Sequence, residues 1–212
     1  MKNIIVFGAT GPTGREFVKQ ALDDGHELTV IVRDPNSFDL KHHKMEIIKG
    51  DVLVPVSFEN KIIGKDVVIS CLGSGGKTKP TIIYSTGIEN IISAMGKSRI
   101  KRLICISAMG LSTNDKMSFL GKFLTKFVAQ KLYKEPYKDM RLMEKILRKA
   151  NLDWTIVRPP ALTNKTKTEI YRLGINEHIS RPFSISRPDL AHYMLSSIDD
   201  PKTFRTKVEI SY

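Results

Sequence analysis

The chain has 212 residues, 41% of them hydrophobic and 26% charged, with a mean hydropathy of −0.18. That composition excludes a disordered or fibrous polymer and leaves ample length for a buried core. No apolar run approaches the roughly 18 residues that span a bilayer, so no membrane partner is expected.

The charge balance, 34 Lys and Arg against 22 Asp and Glu, gives a formal +12. The cations are spread along the chain, with mild clustering at 97–102 and 122–149. This suits a solvated basic surface that also draws in an anionic ligand better than a nucleic-acid site, and no nucleic acid is expected as partner.

The first element is the apolar run Ile4-Ile5-Val6-Phe7, followed at once by Gly8-Ala9-Thr10-Gly11-Pro12-Thr13-Gly14 and a helical stretch from Arg15 to Leu22. Because the chain enters a strand immediately, no signal peptide is expected. Glycines spaced in threes after a buried strand let backbone N–H groups approach a pyrophosphate, and the helix that follows points its positive end at it. A triplet in this strand–helix setting is a strong dinucleotide signal.

Further runs rich in Ile and Val follow at 27–32, 45–48, 66–71, 101–106 and 153–157, with helical spacing at 14–24, 80–96 and 135–150. Within 80–96 one face carries Ile83, Gly87, Asn90, Ile91 and Ala94, and Pro80 suits the first turn. Continuous apolar strands alternating with helices predict an α/β fold with a doubly wound, Rossmann-type parallel sheet of order 3-2-1-4-5-6 and a crevice at the strand carboxyl ends. Past Arg158-Pro159-Pro160 the pattern breaks. Residues 161–187 are expected as a small C-terminal substrate-side segment, with Thr168 to Arg172 its best strand. A helix from Pro188-Asp189 to about Ile198 and a strand from Lys207 to Ser211 close a single domain over 1–212. Cys71 and Cys105 fall in apolar strands, as buried, reduced cysteines of a cytoplasmic protein do.

The strand ends carry the candidate site. The second ends at Arg33, followed by Asp34, where an NAD site places an acid on the ribose hydroxyls. A guanidinium forks onto a phosphate, which favours the 2′-phosphate of NADPH over NADH; the alternative is a surface arginine with Asp34 on the ribose. The third ends at Gly50-Asp51-Val52, where Asp51 could take the adenine amino group or merely cap the turn after it. The fourth ends at Cys71-Leu72-Gly73 beneath the nicotinamide side, and the fifth at Ser107, a candidate catalytic hydrogen-bonding group or a serine satisfying backbone. The sixth ends at Pro159 and Pro160, a rigid wall facing the nicotinamide.

Together, strand–GATGPTG–helix, Val32-Arg33-Asp34, Gly50-Asp51-Val52, Ile106-Ser107-Ala108 and Arg158-Pro159-Pro160 resemble the atypical short-chain dehydrogenase/reductases. The likeness is to their NAD(P)H-binding branch, which includes flavin reductase/biliverdin-IXβ reductase and NmrA-like proteins, and it covers nearly the whole chain. It implies Gly8, Thr10, Gly11, Pro12, Thr13 and Gly14 on the pyrophosphate and Arg33 on the 2′-phosphate. It further implies Asp51 and Val52 around adenine, with Cys71, Leu72, Gly73, Ser107, Pro159 and Pro160 on the nicotinamide half. Two positions depart. Ala161 stands where the pigment reductases have histidine, and Phe38, with Lys41 nearby, where they have a second arginine.

The Tyr-x-x-x-Lys pair of the larger family is missing. Four residues after Tyr84, Tyr133, Tyr137, Tyr171 and Tyr193 come Ile88, Tyr137, Arg141, Ile175 and Ser197, so Tyr137 with Arg141 is the nearest approximation and suits plain packing better. His42 and His43 suit a solvated loop and His178 a loop of the substrate-side segment; no metal-ligand spacing is present. The stripe over 117–132 (Phe119, Leu120, Phe123, Leu124, Phe127, Val128) suits core or lid first, then a dimer face, and a membrane-surface element last. The expectation is an NADPH-dependent reductase acting on a flat small-molecule acceptor such as a flavin or quinone, as a monomer or homodimer. The alternative is a non-catalytic dinucleotide sensor; an epimerase lacks a visible acid/base pair.

Overall fold

Six parallel strands stand in the order β3-β2-β1-β4-β5-β6 in the computed structural model, which describes residues 1–111, 123, 127 and 130–212. They are β1 (Asn3–Phe7), β2 (Glu27–Val32), β3 (Met45–Lys49), β4 (Val67–Ser70), β5 (Arg102–Ile106) and β6 (Asp153–Arg158). The expected order is the observed one. Short β7 (Ala161–Thr163), β8 (Arg172–Ile175) and β9 (Ser184–Ser186) precede β10 (Thr206–Ser211). β10 adds to β6 in parallel, and β8 closes the edge antiparallel to β10, while β7 and β9 pair separately.

The two faces of the sheet bury alternate residues, as the two-residue strand period requires. Ile4, Val6, Val30 and Ile69 point to one core with Phe17 and Val18 of α1 (Pro12–Asp23) and Leu190 and Met194 of the C-terminal helix Arg187–Ser196. Ile5, Phe7, Val68 and Leu103 point to the other, with Ile62 of α2 (Glu59–Ile62), Ile88 and Ile91 of α3 (Ser85–Ser98), and Met143 and Leu147 of α4 (Lys134–Lys149). The C-terminal helix is α5. Each such side chain, removed from water, contributes about 1.5–3 kcal/mol.

Two boundaries differ from expectation. Helix α3 begins at Ser85, not near Pro80, which lies in an exposed loop. The buried Asp139 of α4 accepts from the N–H groups of Tyr84 (2.9 Å) and Ser85 (3.3 Å) and from the Ser85 hydroxyl, so the helix start is capped from 54 residues away. Thr168 to Arg172 forms no strand. The N–H groups of Thr168 and Glu169 go instead to Asp189 of α5, both at 2.8 Å, and pairing with β10 starts only at Arg172. Most of the 117–132 stripe lies outside the described residues. Of those described, Phe123, Phe127 and Leu132 are exposed.

Candidate dinucleotide-binding site

A cleft of about 720 Å³ opens where the carboxyl ends of β1, β2, β4, β5 and β6 meet the helix starts. Its floor is built by close backbone approach. Gly8 has φ +78°, a conformation that favours glycine, and a Cβ there would stand 2.4 Å from the Cys71 carbonyl oxygen. A Cβ on Gly14 would stand 2.2 Å from the Gly8 carbonyl oxygen, so α1 packs directly on the turn. Gly14 is therefore a buried packing position and the one residue of the expected set that does not line the cleft.

Helix α1 starts with Pro12 at its first position, no side-chain cap and no acidic residue in its first turn. Arg15 N–H reaches the Gly11 carbonyl at 2.9 Å, which leaves the Thr13 and Gly14 N–H groups without an intrahelical acceptor. Gly8, Thr10, Gly11, Pro12 and Thr13 all line the cleft beside this positive helix end.

Toward β2, Arg33 is exposed and lines the cleft, and among the described residues no hydrogen bond or ion pair engages its guanidinium. Asp34 has other work, since its carboxylate accepts from Asn36 N–H at 3.0 Å and caps the following turn. Asp34 is absent from the cleft wall. Arg15 is paired with Asp39, and its guanidinium lies 5.3 Å from the centre of the Phe38 ring. At the end of β3, one Asp51 oxygen accepts from Leu53 N–H at 2.9 Å. Asp51 and Val52 line the cleft, and Val52 packs on α3 where a Cβ on Gly87 would meet it at 3.2 Å.

Toward β5 and β6 the wall comprises Cys71, Leu72, Gly73, Ser107, Pro159 and Pro160. Ser107 is buried and donates its hydroxyl to Glu144 Oε1 at 2.7 Å. Glu144, also buried, accepts from Arg158 Nε at 2.8 Å and from its Nη2. Burial alone would raise the Glu144 carboxyl; Arg158, Ser107 and Arg148 outweigh it and hold the group below its ordinary value. With its proton spent on Glu144, the Ser107 oxygen has lone pairs left to offer the cleft and no donor.

Helix α4 and the Tyr133 just before it supply a wall that strand-end reasoning missed: Tyr133, Pro136, Tyr137 and Met140. The Tyr133 and Tyr137 rings stack with centroids 5.9 Å apart. Positions 133, 137 and 140 share one helical face, a spacing visible in the sequence. Burial pushes the Tyr137 phenol above its ordinary value, Tyr133 adds to this and Arg141 opposes it. Arg141 itself donates to the Leu111 carbonyl at 2.8 Å. Leu162 and Arg187 complete this end. His178 pairs with Glu209 at 2.6 Å and is not on the cleft wall, and His42 and His43 are exposed. Among the described residues no cluster of His, Cys, Asp or Glu could hold a metal, and no helix is long and apolar enough to cross a membrane.

A family model described as NAD(P)H-binding matches residues 8–201, nearly the whole chain. The chain belongs to the NAD(P)H-binding family. Within the curated proteins, a UPF0659 protein of Schizosaccharomyces pombe is 28% identical over 200 residues, covering 85% of this chain and 80% of that one. Among solved structures, a short-chain dehydrogenase/reductase of Veillonella parvula in complex with NADP superposes with a TM-score of 0.80 at 21% identity, over 100% of this chain and 94% of that one. ChuY, an anaerobillin reductase of Escherichia coli, superposes with a TM-score of 0.81 at 17% identity, over 99% and 96%. These structures share the fold. The uncapped α1 start and the close backbone packing at Gly8 and Gly14 lie within the region that the family model matches.

Proposed function

We propose that this protein is an NADPH-dependent reductase passing a hydride to a flat acceptor such as a flavin or quinone. The observation that carries this reading is the wall of flat and apolar groups, Tyr133, Tyr137, Met140, Pro160 and Leu162, at the β6 end of the cleft. An acceptor of this kind needs positioning more than acid–base help, because the cofactor carries the chemistry. The bound dinucleotide supplies two electrons as hydride, and the reduced acceptor takes its further proton from water.

In this reading Gly8, Thr10, Gly11, Pro12 and Thr13 hold the pyrophosphate, with Gly14 keeping the helix close. Arg33, free of carboxylate partners among the described residues, takes the 2′-phosphate and sets NADPH above NADH. Asp51 and Val52 flank adenine. Cys71, Leu72 and Gly73 support the nicotinamide ribose, and Pro159 and Pro160 back the ring. Ser107 accepts from the carboxamide NH2, the one role left to a hydroxyl already donating to Glu144. The 161–187 segment contributes Leu162 and Arg187, at its two ends, to the acceptor side of one domain. The free, buried Cys71 and Cys105 suit the cytoplasm, where we place the reaction, on a monomer or homodimer.

Mixing the protein with NADPH and FMN, and following the loss of dihydronicotinamide absorbance, tests the reading. Turnover is expected; none with any flavin or quinone would overturn it. A second reading, a dinucleotide-regulated sensor, is favoured by Ser107 donating to Glu144 and not to the cleft. Tight NADPH binding without any acceptor reduction, together with a captured protein partner, would select it.

A further inference from the structure

We infer that the molecule bound beside the nicotinamide carries an anionic group and that Arg187 is its anchor. The inference rests on the reading of the cleft as a dinucleotide site with an acceptor next to it. Among the described lining residues the cations are Arg33, Lys77, Lys79 and Arg187, against the single carboxylate of Asp51. In the proposed reading Arg33, at the end of β2, is matched to the 2′-phosphate, and the helix start after β1 serves the pyrophosphate without any cationic side chain.

Arg187 stands apart from both. β7 follows directly on β6, its Thr163 pairs with Ser186 of β9, and Arg187 is the next residue. Its guanidinium meets Asn164, just past β7, and β7 continues from the Pro159-Pro160 end of β6, whereas Arg33 follows β2, four strands away in the sheet order. Arg187 therefore stands at the β6 end of the cleft, beside the wall read above as the acceptor side.

Its charge is available there. The half-buried side chain donates from Nη1 to the neutral Asn164 side chain at 2.6 Å, and no carboxylate pairs with it among the described residues. A guanidinium steadied by a neutral partner keeps its remaining donors for a carboxylate or phosphate. Opposite it, the stacked Tyr133 and Tyr137 rings and Met140 offer the flat face. A planar ring system bearing a carboxylate or phosphate satisfies both walls at once.

FMN and riboflavin share one ring system and differ by a phosphate, so they isolate the charge. Each is titrated into the NADP⁺-loaded protein and into its Arg187→Gln variant by flavin fluorescence, with NADP⁺ affinity and melting temperature recorded alongside. The native protein is expected to bind FMN about tenfold more tightly than riboflavin, the scale of one charge-assisted hydrogen bond. That preference is expected to shrink as salt rises. In Arg187→Gln, FMN falls to the level of riboflavin while NADP⁺ affinity and melting temperature hold. Equal affinities in the native protein, or no binding of FMN, would overturn the inference. So would a loss of NADP⁺ affinity in the variant with the FMN preference intact. An Arg187-dependent preference without any turnover supports the anion site and defeats the reductase reading. Turnover of both flavins at equal affinity does the reverse.

Discussion

Ser107 gives its hydroxyl proton to Glu144 across 2.7 Å, and Glu144 is clamped by the guanidinium of Arg158. The pair is buried, so the residue after β5, the last residue of β6 and the middle of α4 are locked together beneath the wall that Ser107 and Pro159 share. The Arg158 that opens the Arg-Pro-Pro run thus works under the cleft floor, and the prolines after it form the wall.

Removing Glu144 should be costly and should show its pH signature. Glu144→Ala leaves the Arg158 charge buried without its carboxylate, a loss of about 3–5 kcal/mol. Native Glu144 is held below its ordinary 4.5, so its stabilisation is fully present above that value and is lost as pH falls through the lower native one. Denaturant melts of native protein and Glu144→Gln should therefore differ most at pH 7 and converge in acid. A gap independent of pH would assign the ion pair no role in stability.

The cradle glycines should separate by sign from an open one. Gly8→Ala meets the Cys71 carbonyl at 2.4 Å in a positive-φ position, and Gly14→Ala meets the Gly8 carbonyl at 2.2 Å. Each should lower stability by about 1–3 kcal/mol and weaken NADPH binding together. Gly96, within α3, has nothing within 4 Å of its Cβ position. Gly96→Ala should raise stability by about 0.5–1 kcal/mol with NADPH affinity untouched. Thermal melts and cofactor titrations of the three variants give the comparison.

Arg33→Ala should cost NADPH about 10–100-fold in affinity, the value of a charge-assisted phosphate contact, and leave NADH nearly unaffected. Asp34→Ala should change neither preference, because its carboxylate caps the Asn36 turn. Equal native affinities for NADPH and NADH would remove the role proposed for Arg33.

Tyr137→Phe distinguishes positioning from proton transfer. Burial raises the phenol and Arg141 is tied to the Leu111 carbonyl, so turnover should change by less than about threefold and the pH profile should not move. A loss of about a hundredfold or more would make Tyr137 the general acid.

The parallel core was legible because strands buried on both faces leave continuous apolar runs, and six of these marked β1 to β6 within a residue or two. The strand ends then named the cleft wall, since topology alone carries them there. What the linear pattern hid depends on distant partners. The start of α3 is set by Asp139, and residues 168–169 are taken from strand pairing by Asp189. That Gly14 also packs α1 onto the turn was not legible, because the motif does not say which glycine serves helix packing. Tyr133, Met140 and Arg187 join the cleft only through the way α4 and the β7–β9 pair fold back on it. Their own spacing marked a face, but not what it would meet.

The two cysteines carry one more implication. Burial pushes the Cys71 thiol up to about 12, and Cys105, on the neighbouring strand, is raised likewise. Thiols raised in this way are slow to alkylate, because the thiolate is the reacting form. Cys71 lines the cleft and belongs to the segment whose backbone presses against Gly8, so access to its thiol reports on that part of the cradle. In a Cys105→Ser background, the alkylation rate of Cys71 becomes a chemical clock for breathing of the cradle, and a seated dinucleotide should slow it.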